Sequence, residues 1–258
     1  MMEGRLAPAA SLYLDLLEKS LLNAIYGESK LEQTLLLLAQ KLRHPYLTRH
    51  GTFGWPARAH TMVGRQRLHH LRKLVERTIS EEVPGDYIET GVWRGGACIL
   101  MRGVLAAYDV RDRQVFCADS FEGLPRPDGA RYPADRRDRL FTFSELAVSE
   151  EEVRQNFAAY GLLDEQVTFL KGLFRDTLPG IATSTIALMR LDGDMYESTM
   201  DALVNLYHKL SQGGFVIVDD YGALESCRKA VHNFLDRQGL QVDLRPVDES
   251  CVWWRKES

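Results

Sequence analysis

The sequence predicts an α/β fold with a mostly parallel, seven-stranded sheet, helices on both faces and a closing antiparallel hairpin. Apolar strand segments alternate with amphipathic helices from residue 81 onward, which is typical of parallel sheets. The strand segments are rich in Val, Ile, Leu and Phe without polar alternation, as expected where helices cover both faces. The last two segments have no helix between them and must form a hairpin. We therefore expect a sheet domain over residues 81–258, preceded by a helical extension and lid over residues 1–80.

The N-terminal part of the chain is predicted to be helical. Leucine repeats over residues 11–25 and 30–42 predict two helices, whose apolar faces pack on the core or against another subunit. We expect a homo-oligomer, a dimer or a tetramer. Proline, glycine and aromatic residues between 43 and 55 predict a loop. A third helix with an apolar face over residues 68–79 follows, and Thr61 stands where it could cap that helix.

The first predicted strand, residues 87–89, leads through a glycine-rich turn into a helix. Gly91, Gly95 and Gly96 permit positive φ and close approach of the backbone to a ligand, and the helix N-terminus offers N–H groups to polar atoms. The spacing does not match the G-x-G-x-x-G dinucleotide fingerprint. Glu89, just before the turn, favours a ligand with a positive charge or free hydroxyls. A turn of this kind also occurs in other α/β domains.

The later elements follow at regular intervals. The second predicted strand, residues 115–120, carries Asp119 at its end, where an acid can hold ribose hydroxyls. The connection over residues 122–148 is long, charged and proline-rich, which predicts either a lid or a solvated surface loop. A capping box beginning at Ser149 opens the next helix. The remaining strands are predicted over residues 167–170, 186–191, 215–218, 242–247 and 251–255, with helices near 174–178, 200–207 and 227–234.

Carboxylates concentrate at the ends of the fourth and fifth predicted strands. Asp192 ends the fourth strand, and Asp219 and Asp220 end the fifth. Carboxylates this close repel one another unless a positive charge lies among them, and Mg²⁺ with oxygen ligands meets that need. The alternatives are that Asp194 only caps a helix, through a capping box with Glu197, and that the two acids after the fifth strand are solvated loop residues.

Composition excludes several classes of protein. A net charge of −4 and a pI near 6.0 leave no basic surface for nucleic acid. No apolar stretch approaches the roughly 18 residues that a membrane span needs, and acidic residues near the N-terminus argue against a signal peptide. The four cysteines form no C-x-x-C pair, so we expect buried reduced thiols and a cytoplasmic protein.

Four segments in order resemble the macrocin O-methyltransferase family. They are Glu-Thr-Gly-Val-Trp-Arg-Gly-Gly-Ala at 89–97, Ala-Asp-Ser-Phe-Glu-Gly at 118–123, Leu-Asp-Gly-Asp-Met-Tyr-Glu-Ser-Thr-Met at 191–200 and Gly-Gly-Phe-Val-Ile-Val-Asp-Asp-Tyr at 213–221. The resemblance extends from about residue 11 to the C-terminus and includes Ala-His-Thr-Met-Val-Gly at 59–64. It implies a Rossmann-like class I methyltransferase sheet and methylation of sugar hydroxyls on macrolides, aminocoumarins and related natural products.

The resemblance also implies S-adenosylmethionine and Mg²⁺ as cofactors. Asp192, Asp219 and Asp220 match the family's metal ligands, and Asp194, beside Asp192, matches a proposed catalytic base. The segment around Thr61 and Met62 is expected to close over the cofactor. The cofactor-binding residues by this likeness are Thr61, Met62, Glu89, Thr90, Gly91, Trp93, Gly95, Gly96, Asp119, Ser120, Gly172, Phe174 and Asp192. A histidine that some members carry in the 122–148 loop is absent here.

The expected function is an Mg²⁺-dependent O-methyltransferase for a sugar hydroxyl of a small glycosylated natural product. The alternative acceptors are a phenol or catechol, or a free or lipid-linked sugar. A non-catalytic nucleoside-binding module, with a partner bound by the N-terminal helices, belongs to a different class. The acids at successive strand ends argue against that module, because a binder needs no metal ligands.

Overall fold

The computed structural model, which describes residues 7–43 and 55–257, contains one seven-stranded sheet. Its strands are β1 (Asp86–Thr90), β2 (Val115–Asp119), β3 (Val167–Lys171), β4 (Ile186–Leu191), β5 (Leu210–Val218), β6 (Arg245–Pro246) and β7 (Val252–Arg255). They are ordered β3-β2-β1-β4-β5-β7-β6. The first five in this order are mutually parallel, and β7 is antiparallel to both β5 and β6. The predicted fold class is confirmed.

Helices cover both faces of this sheet. They are α1 (Pro8–Leu21), α2 (Lys30–Arg43), α3 (Gly64–Ser80), α4 (Gly96–Ala107), α5 (Glu150–Ala159), α6 (Phe174–Thr177), α7 (Tyr196–Leu206) and α8 (Glu225–Gln238). Apolar side chains of α1, α3, α4 and α5 form one core cluster, and those of α7 and α8 form a second on the opposite face. Strand β5 shows why both clusters form: Phe215 and Ile217 join the first, whereas Val216 and Val218 join the second.

Several boundaries differ from the predicted ones. Helix α1 ends at Leu21 rather than residue 25, and Asn23 follows it with φ of 50°. Strand β5 begins at Leu210, five residues before the predicted start, and its pairing with β4 is irregular where Gly213 has φ of 80°. Strand β6 spans two residues instead of six, and its Pro246 has no N–H to extend the ladder. The loop predicted between 43 and 55 falls almost entirely on residues outside the described part of the chain.

The connection over residues 122–148 has local structure of its own. It contains three short 3₁₀ turns, Pro133–Asp135, Leu140–Thr142 and Ser144–Leu146, and it buries Asp135, Phe143 and Val148. Long loops that are packed by their own side chains are frequently functional. It is therefore more than a solvated surface loop, although whether it closes on a ligand stays a prediction.

All four cysteines are buried free thiols, as predicted. None of the helices within residues 7–43 and 55–257 has both the length and the apolar character that a bilayer crossing requires.

Candidate active site

A cavity of about 330 Å³ opens at the carboxyl ends of the parallel strands. Four parts of the chain enclose it: the segment of residues 55–63 before α3, the glycine-rich turn after β1, the 122–148 loop, and the acidic ends of β4 and β5. This is where open α/β sheets bind their ligands, and the volume is in the range of small-molecule sites.

Two glycines of the turn are required because neighbouring backbone lies close to them. A Cβ on Gly91, whose φ is 90°, would lie 1.7 Å from the carbonyl oxygen of Asp192, so only glycine fits where the ends of β1 and β4 meet. At Gly96 the N–H donates to the carbonyl of His60 at 2.9 Å, and a Cβ would come within 2.5 Å of that oxygen. The first N–H of α4 is therefore occupied by the 55–63 segment, contrary to the expectation that it is offered to a ligand.

The residues after Gly91 hold both flanking segments against the cavity. Arg94 Nη1 donates to the carbonyls of Pro56, Ala57 and Ala59 at 3.0, 3.1 and 3.0 Å. Trp93 Nε1 donates to the carbonyl of Glu145 at 2.9 Å, which ties the turn to the 122–148 loop. The turn after β1 therefore holds two walls of the cavity in place, the 55–63 segment and the 122–148 loop.

Asp119 at the end of β2 is fixed by backbone donors. Its Oδ2 accepts from Val92 N at 2.7 Å and its Oδ1 from Phe121 N at 2.8 Å. Burial raises the pKa of Asp119, and these N–H groups oppose the rise. Two weaker donors, Trp93 N at 3.4 Å and Ser120 Oγ at 3.3 Å, take the remaining acceptor positions of Asp119, and a ligand hydroxyl in the cavity would replace them.

A buried arginine, which the sequence analysis missed, lies at the centre of the acids. Arg190 of β4 is 2% exposed. Its Nη1 donates to Glu89 at 2.5 Å and to Asp192 at 2.7 Å, and its Nη2 donates to Asp219 at 2.5 Å. The sequence signal for Arg190 was its position within an otherwise apolar strand, Ile-Ala-Leu-Met-Arg-Leu. An arginine buried there needs acidic partners, since arginine is almost never buried unpaired.

A second guanidinium reaches the same cluster from α3. Arg67 Nη1 donates to the other oxygen of Asp219 at 2.6 Å, and its Nε donates to Asp248 at 2.6 Å. Both oxygens of Asp219 are thus paired with arginine. The positive charge that the clustered carboxylates require comes in part from the protein itself.

The outer carboxylates have no such partner among the described residues. Burial and the neighbouring carboxylates raise the pKa of Asp194 and of Asp220 well above the usual range. Asp220 Oδ2 is buried without a hydrogen bond in the described structure. Asp192, Asp219 and Asp220 offer oxygens that lie within 4.8 Å of one another. This donor set and the unpartnered oxygen fit a hard divalent cation.

The helix caps considered as alternative roles for Asp194 and Thr61 do not form. The N-cap position of α7 is Met195, and Asp194 precedes it with φ of 61°, so its carboxylate is not used to cap the helix. The carboxylate that accepts from the first N–H groups of α7 belongs to Asp135. Thr61 does not cap α3 either, because Val63 occupies the N-cap and makes no side-chain capping bond.

The structure brings most of the predicted site residues to one cavity. Those that line it are Thr61, Met62, Glu89, Gly91, Trp93, Gly96, Asp119, Ser120, Gly172, Phe174, Asp192, Asp194, Asp219 and Asp220. Thr90 lies instead inside the sheet, fully buried. Gly95 lies behind the turn with φ of 89°, and a Cβ there would come within 2.8 Å of Val153 in α5.

Further cavity residues were not predicted, and they form two walls of different character. The α6–α7 wall is polar and consists of Arg175, Glu197, Ser198 and Asp201. The loop wall is apolar and consists of Leu124, Pro125, Leu140 and Leu146. In the polar wall Arg175 Nη1 lies 2.7 Å from Glu197, while burial and that same carboxylate raise the pKa of Asp201 to about 6. A ligand with a polar part and an apolar part fits between them.

Comparison with known proteins agrees with this geometry. The family model described as macrocin-O-methyltransferase (TylF) matches residues 10–256. Demethyldecarbamoylnovobiocin O-methyltransferase of Streptomyces niveus is 49% identical over 248 residues, covering 96% of this chain and 94% of the relative. Mycinamicin III 3''-O-methyltransferase of Micromonospora griseorubida is 44% identical over 250 residues, covering 96% and 97%.

A third relative is 8-demethyl-8-(2,3-dimethoxy-alpha-L-rhamnosyl)-tetracenomycin-C 4'-O-methyltransferase of Streptomyces olivaceus, 49% identical over 96% of this chain and 93% of the relative. Among solved structures, the O-methyltransferase NovP superposes with a TM-score of 0.85 at 46% identity, covering 96% of this chain and 100% of that one. The calicheamicin methyltransferase CalS11, at 20% identity and a TM-score of 0.59 over 96% of this chain and 93% of that one, shares the fold.

Proposed function

The chain belongs to the macrocin O-methyltransferase family, and we propose that it methylates a sugar hydroxyl of a glycosylated natural product with S-adenosylmethionine as donor. The observation that carries the proposal is the single cavity into which the glycine-rich turn, Asp119 and the carboxylates after β4 and β5 all open. The names of the three relatives support the acceptor class, since they refer to a novobiocin derivative, a rhamnosyl-tetracenomycin and mycinamicin III.

The residues around the turn would hold the donor. When bound, S-adenosylmethionine supplies a methyl group on a cationic sulfonium. Asp119 would accept from ribose hydroxyls, and Gly91, which lines the cavity, would lie against the cofactor. Glu89 and Asp192 line the same space and carry more negative charge than Arg190 alone neutralises. That excess stabilises a positive ligand.

The acidic centre would hold Mg²⁺ between Asp192, Asp219 and Asp220. When bound, the ion supplies Lewis acidity, which makes a hydroxyl easier to deprotonate. Asp194 would take the proton from the acceptor hydroxyl, because its carboxylate lines the cavity beside Asp192.

We further propose a cytoplasmic homo-oligomer. The four buried free thiols are compatible with a reducing compartment. Exposed apolar side chains on α1 and α2, among them Leu12, Leu16, Leu31, Leu35 and Leu38, offer a surface for another subunit.

Methyl transfer from labelled S-adenosylmethionine tests the function. The acceptor panel contains glycosylated macrolides and aminocoumarins, their aglycones, a catechol and free sugars, each with Mg²⁺ and with excess chelator. We expect label on the glycosylated acceptors, loss of transfer with chelator, and recovery when Mg²⁺ is restored. Labelling of the aglycones or the catechol in preference to the glycosides would contradict the sugar-hydroxyl assignment, and full transfer with chelator would contradict the metal requirement.

A further inference from the structure

The long loop between β2 and α5 is fastened at its middle by one buried carboxylate. Asp135 ends the 3₁₀ turn Pro133–Asp135 and is 1% exposed. Its Oδ1 accepts from Tyr196 N at 2.7 Å, and its Oδ2 accepts from Glu197 N at 3.0 Å. A tilted ring contact between Tyr132 and Tyr196, with centroids 6.0 Å apart, lies beside these bonds.

Those two N–H groups belong to the first turn of α7, whose N-cap residue does not bond to them. Met195 at the N-cap makes no side-chain hydrogen bond to the helix, so the first N–H groups would otherwise lack partners. A carboxylate there also interacts favourably with the positive end of the helix dipole. Asp135, 61 residues earlier in the chain, thus caps α7 in place of a local N-cap side chain.

The fastening joins the two walls of the cavity. On either side of Asp135 the loop supplies the apolar wall, with Leu124 before it and Leu140 after it. Helix α7 supplies most of the polar wall, including Ser198 and Asp201. The bonds of this carboxylate, together with the packing of Tyr132 and Ala134 on the core cluster of α7 and α8, therefore hold the two walls at their distance.

The cofactor end of the cavity is held by other contacts. Asp119 is bound by the N–H groups of Val92 and Phe121, and Gly96 is bound by the carbonyl of His60. The bond from Trp93 Nε1 to the carbonyl of Glu145 joins the loop to this end, but away from the loop centre. None of these bonds involves Asp135, so loosening Asp135 should leave the cofactor end in place.

We infer that Asp135 is a positioning residue that sets the spacing of the acceptor-binding walls and thereby the selection of the acceptor. This inference rests on the proposed function in one respect, which is that the acceptor binds between the two walls. The fastening itself is a property of the fold and can be measured without any acceptor.

Two variants and a control test the inference. Asp135→Ala removes both bonds, Asp135→Asn keeps one acceptor oxygen, and Asp128→Ala removes an exposed aspartate of the same loop that accepts only from Ala130 N and Arg131 N. The loop carries its own protease sites, because Arg136, Arg137 and Arg139 follow Asp135 directly. The readouts are the rate of tryptic cleavage at these arginines, the KM for the acceptor, and the affinity for S-adenosylhomocysteine by calorimetry.

For Asp135→Ala we expect cleavage at these sites to accelerate by about 10-fold or more and the acceptor KM to rise by about 10-fold, as for the loss of buried hydrogen bonds. Affinity for S-adenosylhomocysteine should stay within about 2-fold, Asp135→Asn should fall between wild type and Asp135→Ala, and Asp128→Ala should match wild type.

An unchanged acceptor KM in Asp135→Ala, or a loss of S-adenosylhomocysteine affinity by the same factor as the KM change, overturns the inference. If Asp135→Ala does not fold, Asp135→Asn decides, and wild-type values of both cleavage rate and KM in that variant overturn it. If wild type methylates none of the panel, the proposed function fails, while the cleavage rates still decide whether Asp135 fastens the loop.

Discussion

Replacing Arg190 with methionine tests how the acidic centre is held together. Methionine approximates the length of the arginine stem but has no charge, and so it leaves Glu89, Asp192 and Asp219 without the guanidinium they share at 2.5–2.7 Å. Removing one partner of a buried ion pair costs about 3–5 kcal/mol, because the remaining charge stays desolvated and uncompensated. For a chain of this size that corresponds to a fall in Tm of about 6–20 °C.

The loss should depend on pH in a defined direction. Burial raises the pKa of Glu89 to about 7 even in the wild type, where Arg190 lowers it. Without Arg190 that pKa rises further, so the folded variant binds a proton that its unfolded chain releases near pH 4.3. A raised folded pKa means that stability is lost as the pH increases through the interval above 4.3. Because the pKa of Glu89 is already about 7 in the wild type, both proteins lose this stability in parallel below pH 7, and the deficit in Tm should be greater at pH 8 than at pH 5.

Scanning calorimetry of wild type and Arg190→Met at pH 5 and pH 8 makes this measurement. Arg111→Met is the matched control, since Arg111 pairs with Asp109 at 2.8 Å but the two side chains are 83% and 79% exposed. A surface pair of this kind contributes about 0–1 kcal/mol. If Arg190→Met melts as close to wild type as the control does at pH 8, the buried-charge reasoning is refuted.

Three other predictions concern the ligands. Asp119→Ala should weaken S-adenosylhomocysteine binding by about 1–3 kcal/mol, and unchanged calorimetric affinity would remove Asp119 from the site. Asp194→Asn should slow methyl transfer by roughly 10²–10⁴-fold while the cofactor affinity is kept; full turnover would mean that Asp194 is not the base. Cofactor plus acceptor should suppress tryptic cleavage within residues 122–148, and equal cutting with and without them would count against a lid.

The parts of the fold that follow from local pattern were predictable from the sequence. Strands and helices differ in the period of their apolar residues, and the parallel sheet places Asp192 and Asp219 at one edge whatever the details of packing. Gly91 was expected to let the backbone approach a ligand closely, whereas the contact that requires glycine there is with the backbone of Asp192.

What the sequence did not show are contacts between residues far apart in the chain. The cap of α7 comes from Asp135, and no local spacing distinguishes it from the other charges of its loop. The capping box suggested by Asp194 and Glu197 was local and plausible, yet the more distant carboxylate occupies the helix end instead. Tertiary structure decides between such alternatives, because both satisfy the same unpaired N–H groups.

The protein itself supplies part of the positive charge that the acidic centre needs. Clustered carboxylates need positive charge, and that need alone predicted a metal ion. Arg190 and Arg67 meet it for Asp219, both of whose oxygens they bind. They do not meet it for Asp220, which keeps a buried oxygen without a partner in the described structure, or for Asp194. We therefore expect the proposed cation on the cavity side of the cluster, where a methyl acceptor would also have to lie.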